Sequence, residues 1–267
     1  MTGVILALEL RRSRSLALGL LAVTLVYGGI VGAIYPVLRD NAKVLDEYMS
    51  VFPQAVLAAF GMTGSLTDHG VFFNTYVGSM LWPIVAAIAA AVLGTRTVAA
   101  DLEHGFLELP LATRIDRVRY LAAAIAAQLV VLGALAIATV GGVLVVGALV
   151  GAAFDVGRFL GEVPLLFLFA CAVAGVATLL SVVSLSRSLS AGVVAGGLLA
   201  MYLLDAISRI KADLDWLGVV SAFRYLRTTE PIDLGVMPWG ALALFAAIAI
   251  AAWAAALWTF RRRDLVA

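Results

Sequence analysis

The stretch Tyr120–Val150 reads YLAAAIAAQLVVLGALAIATVGGVLVVGALV and carries no charged residue. A helix needs about 20 mostly apolar residues to cross a hydrocarbon core about 30 Å thick. This run exceeds that, so it crosses with a tilt or with an end projecting from the bilayer. Five more stretches qualify: Leu16–Leu38, Phe72–Gly94, Val163–Leu185, Leu189–Ile207 and Pro238–Phe260. Over the 267 residues, apolar types make up 63% and charged types 13%, and the mean hydropathy is +1.07. Soluble domains run at roughly 45–50% and about 25%. An aqueous fold of this size has too little interior to hide that surface. The expectation is an all-α polytopic membrane protein with six transmembrane helices.

The first span follows Arg11, Arg12 and Arg14, like a secretory signal, but its apolar run is too long and lacks a small-residue cleavage site. It reads as an anchor. Its Leu16–Tyr35 portion holds ten Leu, Ile or Val residues, each favouring insertion by about 0.3–0.6 kcal/mol. The fifth span is weaker, diluted by glycines, and Asp205 near its end belongs at the interface. Keeping six spans places eleven of the eighteen basic residues on one side, with both termini, and eleven of the seventeen acids on the other. By the positive-inside rule both termini are cytoplasmic.

Between the spans, residues 1–15 read as a short interfacial helix, with Val4, Ile5 and Leu8 on one face. The external segment 39–71 contains a helix-like pattern over Val44–Met62, with Pro53 as a start or a kink. The external segment 208–237 suggests another helix around Leu214–Leu226, with Trp216, Leu217, Val220 and Phe223 facing lipid or neighbouring helices. Small residues four apart, Gly28/Gly32, Gly147/Gly151 and Gly192/Gly196, are candidate helix-packing faces. Gln128, the most polar long side chain deep in a span, is read as an interhelical hydrogen-bonding group. Cys171 reads as a small buried hydrophobe, and with only His69 and His104 beside it no ordinary zinc site is expected.

The cytoplasmic loop 95–119 contains RTVAADLEHGFLELPLATRIDRVR from Arg96 to Arg119. Leu102, Phe106 and Leu109 form an apolar stripe among acids, and Pro110 ends it. Such an element suits docking into a groove on a soluble partner. Neither Lys43 nor Lys211 fits the Gly-x-x-x-x-Gly-Lys-Ser/Thr phosphate loop, so the chain is not expected to hydrolyse ATP. A net charge of +1 gives no case for nucleic acid.

Asp101, Glu103, Gly105, Glu108, Leu109, Leu111, Thr113 and Arg117, lying between the second and third spans, resemble the pattern of the permease subunit of type-2 ABC exporters. So does the closing run Phe260–Leu265, similar to the family's F-x-R-R-D-L, and Val220–Tyr225, similar to an L-S-P-F-x-Y stretch. Arg114 stands where the family often has Pro, Asp116 where it has Ser or Thr, and Ala222 where it has Pro. The resemblance implies a single transmembrane domain without catalytic, cofactor or metal residues of its own. It implies a partner ABC-type ATPase in two copies that carries ATP and magnesium, and a second permease subunit, identical or paralogous. It implies a multi-pass protein of a prokaryotic cytoplasmic membrane. It also implies ATPase docking through Asp101, Glu103, Gly105, Phe106, Glu108, Thr113, Arg114 and Arg117, and a substrate path formed by spans one, two and five. An apolar or amphipathic cargo is expected, because the spans hold almost no acids. The alternatives are an ATP-independent secondary transporter or channel, a non-transporting anchor for an ABC-type ATPase, and an intramembrane enzyme. The last lacks a histidine at membrane depth and clustered carboxylates.

Overall fold

The computed structural model describes residues 2–53, 57, 68–100, 117–152, 155–210, 212–226, 228 and 230–262. Every regular element among them is helical, and six helices are long and apolar enough to cross a bilayer. In chain order the helices are α1 (Thr2–Asp40), α2 (Ala42–Ser50), α3 (Gly70–Ala99), α4 (Arg117–Leu149), α5 (Val156–Ser184), α6 (Arg187–Ile210), α7 (Asp215–Gly218), α8 (Ala222–Tyr225) and α9 (Trp239–Arg262). Those long and apolar enough to cross are α1, α3, α4, α5, α6 and α9, and an even number of crossings would bring Thr2 and Arg262 out on one face, here called the terminal face.

The expected boundaries shift where physics extends a helix. Residues 1–15 are not a separate interfacial element, because α1 runs unbroken for 39 residues. No Pro or Gly lies between Gly3 and Gly19, and Arg12 pairs with Glu9 one turn back at 3.1 Å. At 1.5 Å per residue the helix is about 58 Å long, well beyond the hydrocarbon core. The loop 95–119 also shortens, since α3 reaches Ala99 and α4 begins at Arg117. The fourth span starts at Val156, not Val163. Asp155 caps it, its carboxylate accepting from the backbone N–H of Gly157 at 3.0 Å and of Arg158 at 3.2 Å.

The external helices are shorter than the sequence suggests. The α2 helix stops at Ser50, ahead of Pro53, which biases its preceding residue out of the helical region. Residues 54–56 and 58–62 of the expected Val44–Met62 helix lie outside the described residues. The second segment divides into two single turns, α7 and α8, because Ser221 leaves the helical region to cap α8. Its Oγ accepts from Phe223 N–H at 3.1 Å and donates to the Met201 carbonyl at 2.8 Å. Trp216 and Val220 are exposed, while Phe223 is buried against Phe169 and Tyr202. Ala222 therefore occupies the first helical position, where proline's missing N–H costs nothing.

Helix α5 is the axis of the bundle, with 67% of its apolar window buried against 17% for α6. It packs on α9, α3, α4 and α6. Two glycines permit its closest crossings. A methyl on Gly175 would lie 3.1 Å from the Ala249 carbonyl of α9, and one on Gly94 of α3 would lie 2.9 Å from both the Ala174 carbonyl and the Thr178 nitrogen. Of the six predicted packing glycines, Gly32 meets Val146 of α4 closely enough that a Cβ would overlap it, and Gly147 is buried in α4. Gly151 instead takes φ +71° beyond the end of α4, where Ala152 N–H bonds the Gly147 carbonyl at 2.9 Å. It closes the helix in the left-handed conformation that glycine favours. Among the described residues nothing lies within 4 Å of a Cβ added at Gly28, Gly192 or Gly196, so they make no packing contact there.

Candidate functional site

Two regions concentrate polar chemistry, and α3 joins them. This helix is not uniformly α-helical. Asn74–Leu81 and Arg96–Ala100 are wound as π-helix, on either side of the α-helical stretch Trp82–Thr95. Pro83 accounts for the first. It has no N–H to give to residue 79, and Trp82 N–H bonds the Val77 carbonyl five residues back. Gly78 makes room there, since a Cβ on it would collide with the Asn74 amide oxygen and the Glu162 carboxylate of α5.

A side chain of α5 accounts for the second. Ser181 Oγ accepts from Ala99 N–H at 2.9 Å and donates to the Thr95 carbonyl at 3.1 Å. Those are the two groups that an α-helix would join directly, so Ser181 is inserted into the ladder as a wedge. One turn away, Gln128 Nε2 of α4 donates to Thr97 Oγ1 at 2.8 Å and Thr178 Oγ1 at 3.1 Å, tying three crossings together. Gln128 is thus interhelically bonded, as its sequence position suggested. Both threonines also bond their own helices, Thr97 to the Leu93 carbonyl at 2.9 Å and Thr178 to the Ala174 carbonyl at 2.8 Å.

Around this network lies a second core of Ile5, Val98, Tyr120, Leu121, Val182, Ala256 and Phe260. The Phe of the closing motif is therefore a buried anchor for α9. Trp258 carries the Arg262 guanidinium 4.2 Å over its ring. From this braced base the chain leaves α3 at Ala100 and returns at Arg117. Of the predicted docking residues, Arg117 opens α4, while Asp101, Glu103, Gly105, Phe106, Glu108, Thr113 and Arg114 lie outside the described residues.

Two expected results follow for the network. Ser181→Ala lets Ala99 N–H bond Thr95 directly, so stability changes by less than about 1 kcal/mol, which thermal unfolding in detergent checks. Gln128→Leu is expected to cost about 1 kcal/mol in the same unfolding assay, because both threonines keep their own partners.

The second region is a cavity of about 790 Å³, open to one side, between α1, α3, α6 and the stretch Phe223–Thr228. Ile84, Ala87 and Ile88 of α3 and Ala195, Leu198 and Leu199 of α6 make its apolar depth. Its polar groups include Tyr27, Tyr202, the Asp205–Arg209 pair and two hydroxyls, Ser79 and Thr228, bonded to each other at 2.8 Å. Beyond the end of α6, Arg224 grips Asp215 through two contacts, of 2.8 and 3.0 Å, and these hydrogen bonds hold the Asp215 carboxyl below the usual carboxylate range.

A bundle of six crossings matches one known architecture along nearly its full length: a family model described as ABC-2 family transporter protein covers residues 6–265. The chain belongs to that family. It is a multi-pass membrane protein, the permease component of an ABC transporter, in a family whose permeases work with an ABC ATPase. No curated protein matches it.

In this ABC-2 permease, the sequence reading missed the burial of three polar positions, the first of them Ser181, which is fully buried. Glu162 was placed outside the membrane, yet it lies within α5 and is 3% exposed, packed over Gly78 with Asn74. Asp205, near the end of α6, is 7% exposed. The available signals were the Asp155 cap seven residues before Glu162 and the i, i+4 spacing of Asn74 with Gly78 and of Asp205 with Arg209.

Proposed function

We propose that the chain is the membrane half of an ATP-driven exporter that moves an apolar or amphipathic compound across the cytoplasmic membrane of a prokaryote. The observation that carries this reading is the lateral cavity between α1, α3 and α6, a largely apolar space within the 300–1,000 Å³ typical of small-molecule sites. The terminal face is cytoplasmic, by the bias of arginines on its loops. A separate ATPase in two copies docks on residues 101–116, and a second permease subunit covers the exposed apolar side of α6, where Leu189, Val193 and Leu203 face outward. ATP-driven movement of the docking segment is passed into the Ser181-wedged end of α3, whose middle, from Ser79 to Val92, lines the cavity.

The test is reconstitution in liposomes with the P-loop ATPase that purifies alongside the permease. Uptake of a lipophilic dye is expected only with ATP. Transport driven by an ion gradient with no ATPase present overturns the proposal. An ion-coupled carrier is the second reading, favoured by Glu162, because carriers keep ionisable groups inside their spans. The same experiment separates the two.

A further inference from the structure

We infer that Asp205 is the receptor for a cationic headgroup, and that Arg209 is its tethered stand-in when the cavity is empty. The inference rests on the exporter reading of the cavity and names the class of compound it takes: amphipaths with a quaternary or protonated amine at one end. Asp205 and Arg209 are the two charged residues lining the cavity among those described, and they stand on one face of α6, four residues apart. The carboxylate accepts from Arg209 Nε at 3.0 Å, with Nη2 2.9 Å away on the same Oδ2 oxygen. Their exposures differ: the Asp205 side chain is 9% exposed and the Arg209 side chain 35%. The acid is set into the wall, while the guanidinium reaches it from the rim on a long flexible stem.

A carboxylate that deep in a mostly apolar wall needs a positive partner, since an uncompensated buried charge is costly. Arg209 supplies one without filling the cavity, and its side chain, 35% exposed, can withdraw toward solvent when the carboxylate takes another cation. An incoming ammonium can then take its place on Asp205, with one ion pair exchanged for another. Tyr202 stands one turn deeper on α6 and offers an aromatic face to the same cation. The apolar residues beyond accept an alkyl or ring body. Charge at the end of the helix and hydrocarbon along its length match an amphipath lying along α6.

The experiment uses the full chain in phosphatidylcholine nanodiscs at pH 8 and two probes of nearly equal shape, dodecyltrimethylammonium and dodecyldimethylamine N-oxide, which is uncharged at that pH. Binding above that of empty discs is measured with radiolabelled probe. The wild type is expected to prefer the cation. Asp205→Asn weakens cation binding about tenfold and leaves the N-oxide unchanged, the size expected for one partly desolvated charge contact. Arg209→Gln does the opposite, tightening the cation several-fold by removing its competitor, and this variant tests the idea even if Asp205→Asn folds poorly. Asp205→Asn retaining the cation preference, or weakening both probes alike, overturns the inference. Equal binding of both probes by the wild type overturns it while leaving the cavity as a substrate path. Failure of the wild type to bind either probe removes both.

Discussion

Gly94→Val is expected to prevent recovery of folded, monodisperse protein in detergent, and Gly94→Ala to destabilise it by about 1–3 kcal/mol. At this crossing of α3 and α5 an added methyl would overlap the Ala177 methyl and press on the Ala174 carbonyl and the Thr178 nitrogen. A flexible side chain moves aside cheaply, but a backbone in the middle of two packed helices does not. The valine adds two more carbons to a gap that cannot hold one. Thr178 also belongs to the Gln128 network, so separating the helices strains those hydrogen bonds together. The control is Gly192→Val on α6, where an added Cβ meets nothing within 4 Å. Its unfolding midpoint in detergent is expected to match the wild type. Equal damage from both substitutions would show that general disturbance of the bundle, and not the α3–α5 crossing, sets the sensitivity.

The second large effect is functional. Glu103→Ala combined with Phe106→Ala is expected to abolish substrate-stimulated ATPase activity in the reconstituted complex while leaving membrane insertion intact. In the proposed docking contact Phe106 would supply the apolar anchor and Glu103 a charge beside it, so losing both would remove the contact through which closure of the ATPases is felt. The described ends of the segment explain why insertion is spared. Val98 and Ala99 are fully buried on one side and Tyr120 and Leu121 nearly so on the other, so the bundle holds both ends without help from the segment between them. Persistence of stimulated hydrolysis in the double variant, measured beside a pulldown of the ATPase, would place the motor contact elsewhere.

The crossings were legible because lipid imposes a length and a hydropathy that few other solvents would select, and all six are where the apolar runs put them. Helix ends were less legible. Asp155 and Ser221 set two of them through single side-chain caps, which hydropathy does not register. The close crossings were missed for a different reason. A search for glycines four apart finds backbone exposure on one helix, whereas Gly94 and Gly175 each stand alone and depend on alanines of the facing helix. The cavity's charged pair was hidden in the same way: Asp205 was visible as an acid near a span end, but its burial depends on Phe223 and the external turns folding over α6. The docking residues were read from a motif, and their arrangement lies beyond the described part of the chain apart from Arg117.

The two widened segments of α3 have a mechanical consequence. Fourteen residues of ordinary helix, Trp82–Thr95, hang between two stretches in looser hydrogen-bond register. A change of register by one residue turns everything beyond it by about 100°. Because the Gly94 crossing locks this middle stretch to α5, a twist entering through either loose stretch turns α3 and α5 as one body and carries the Ile84 and Ile88 wall of the cavity with them, without any helix having to slide.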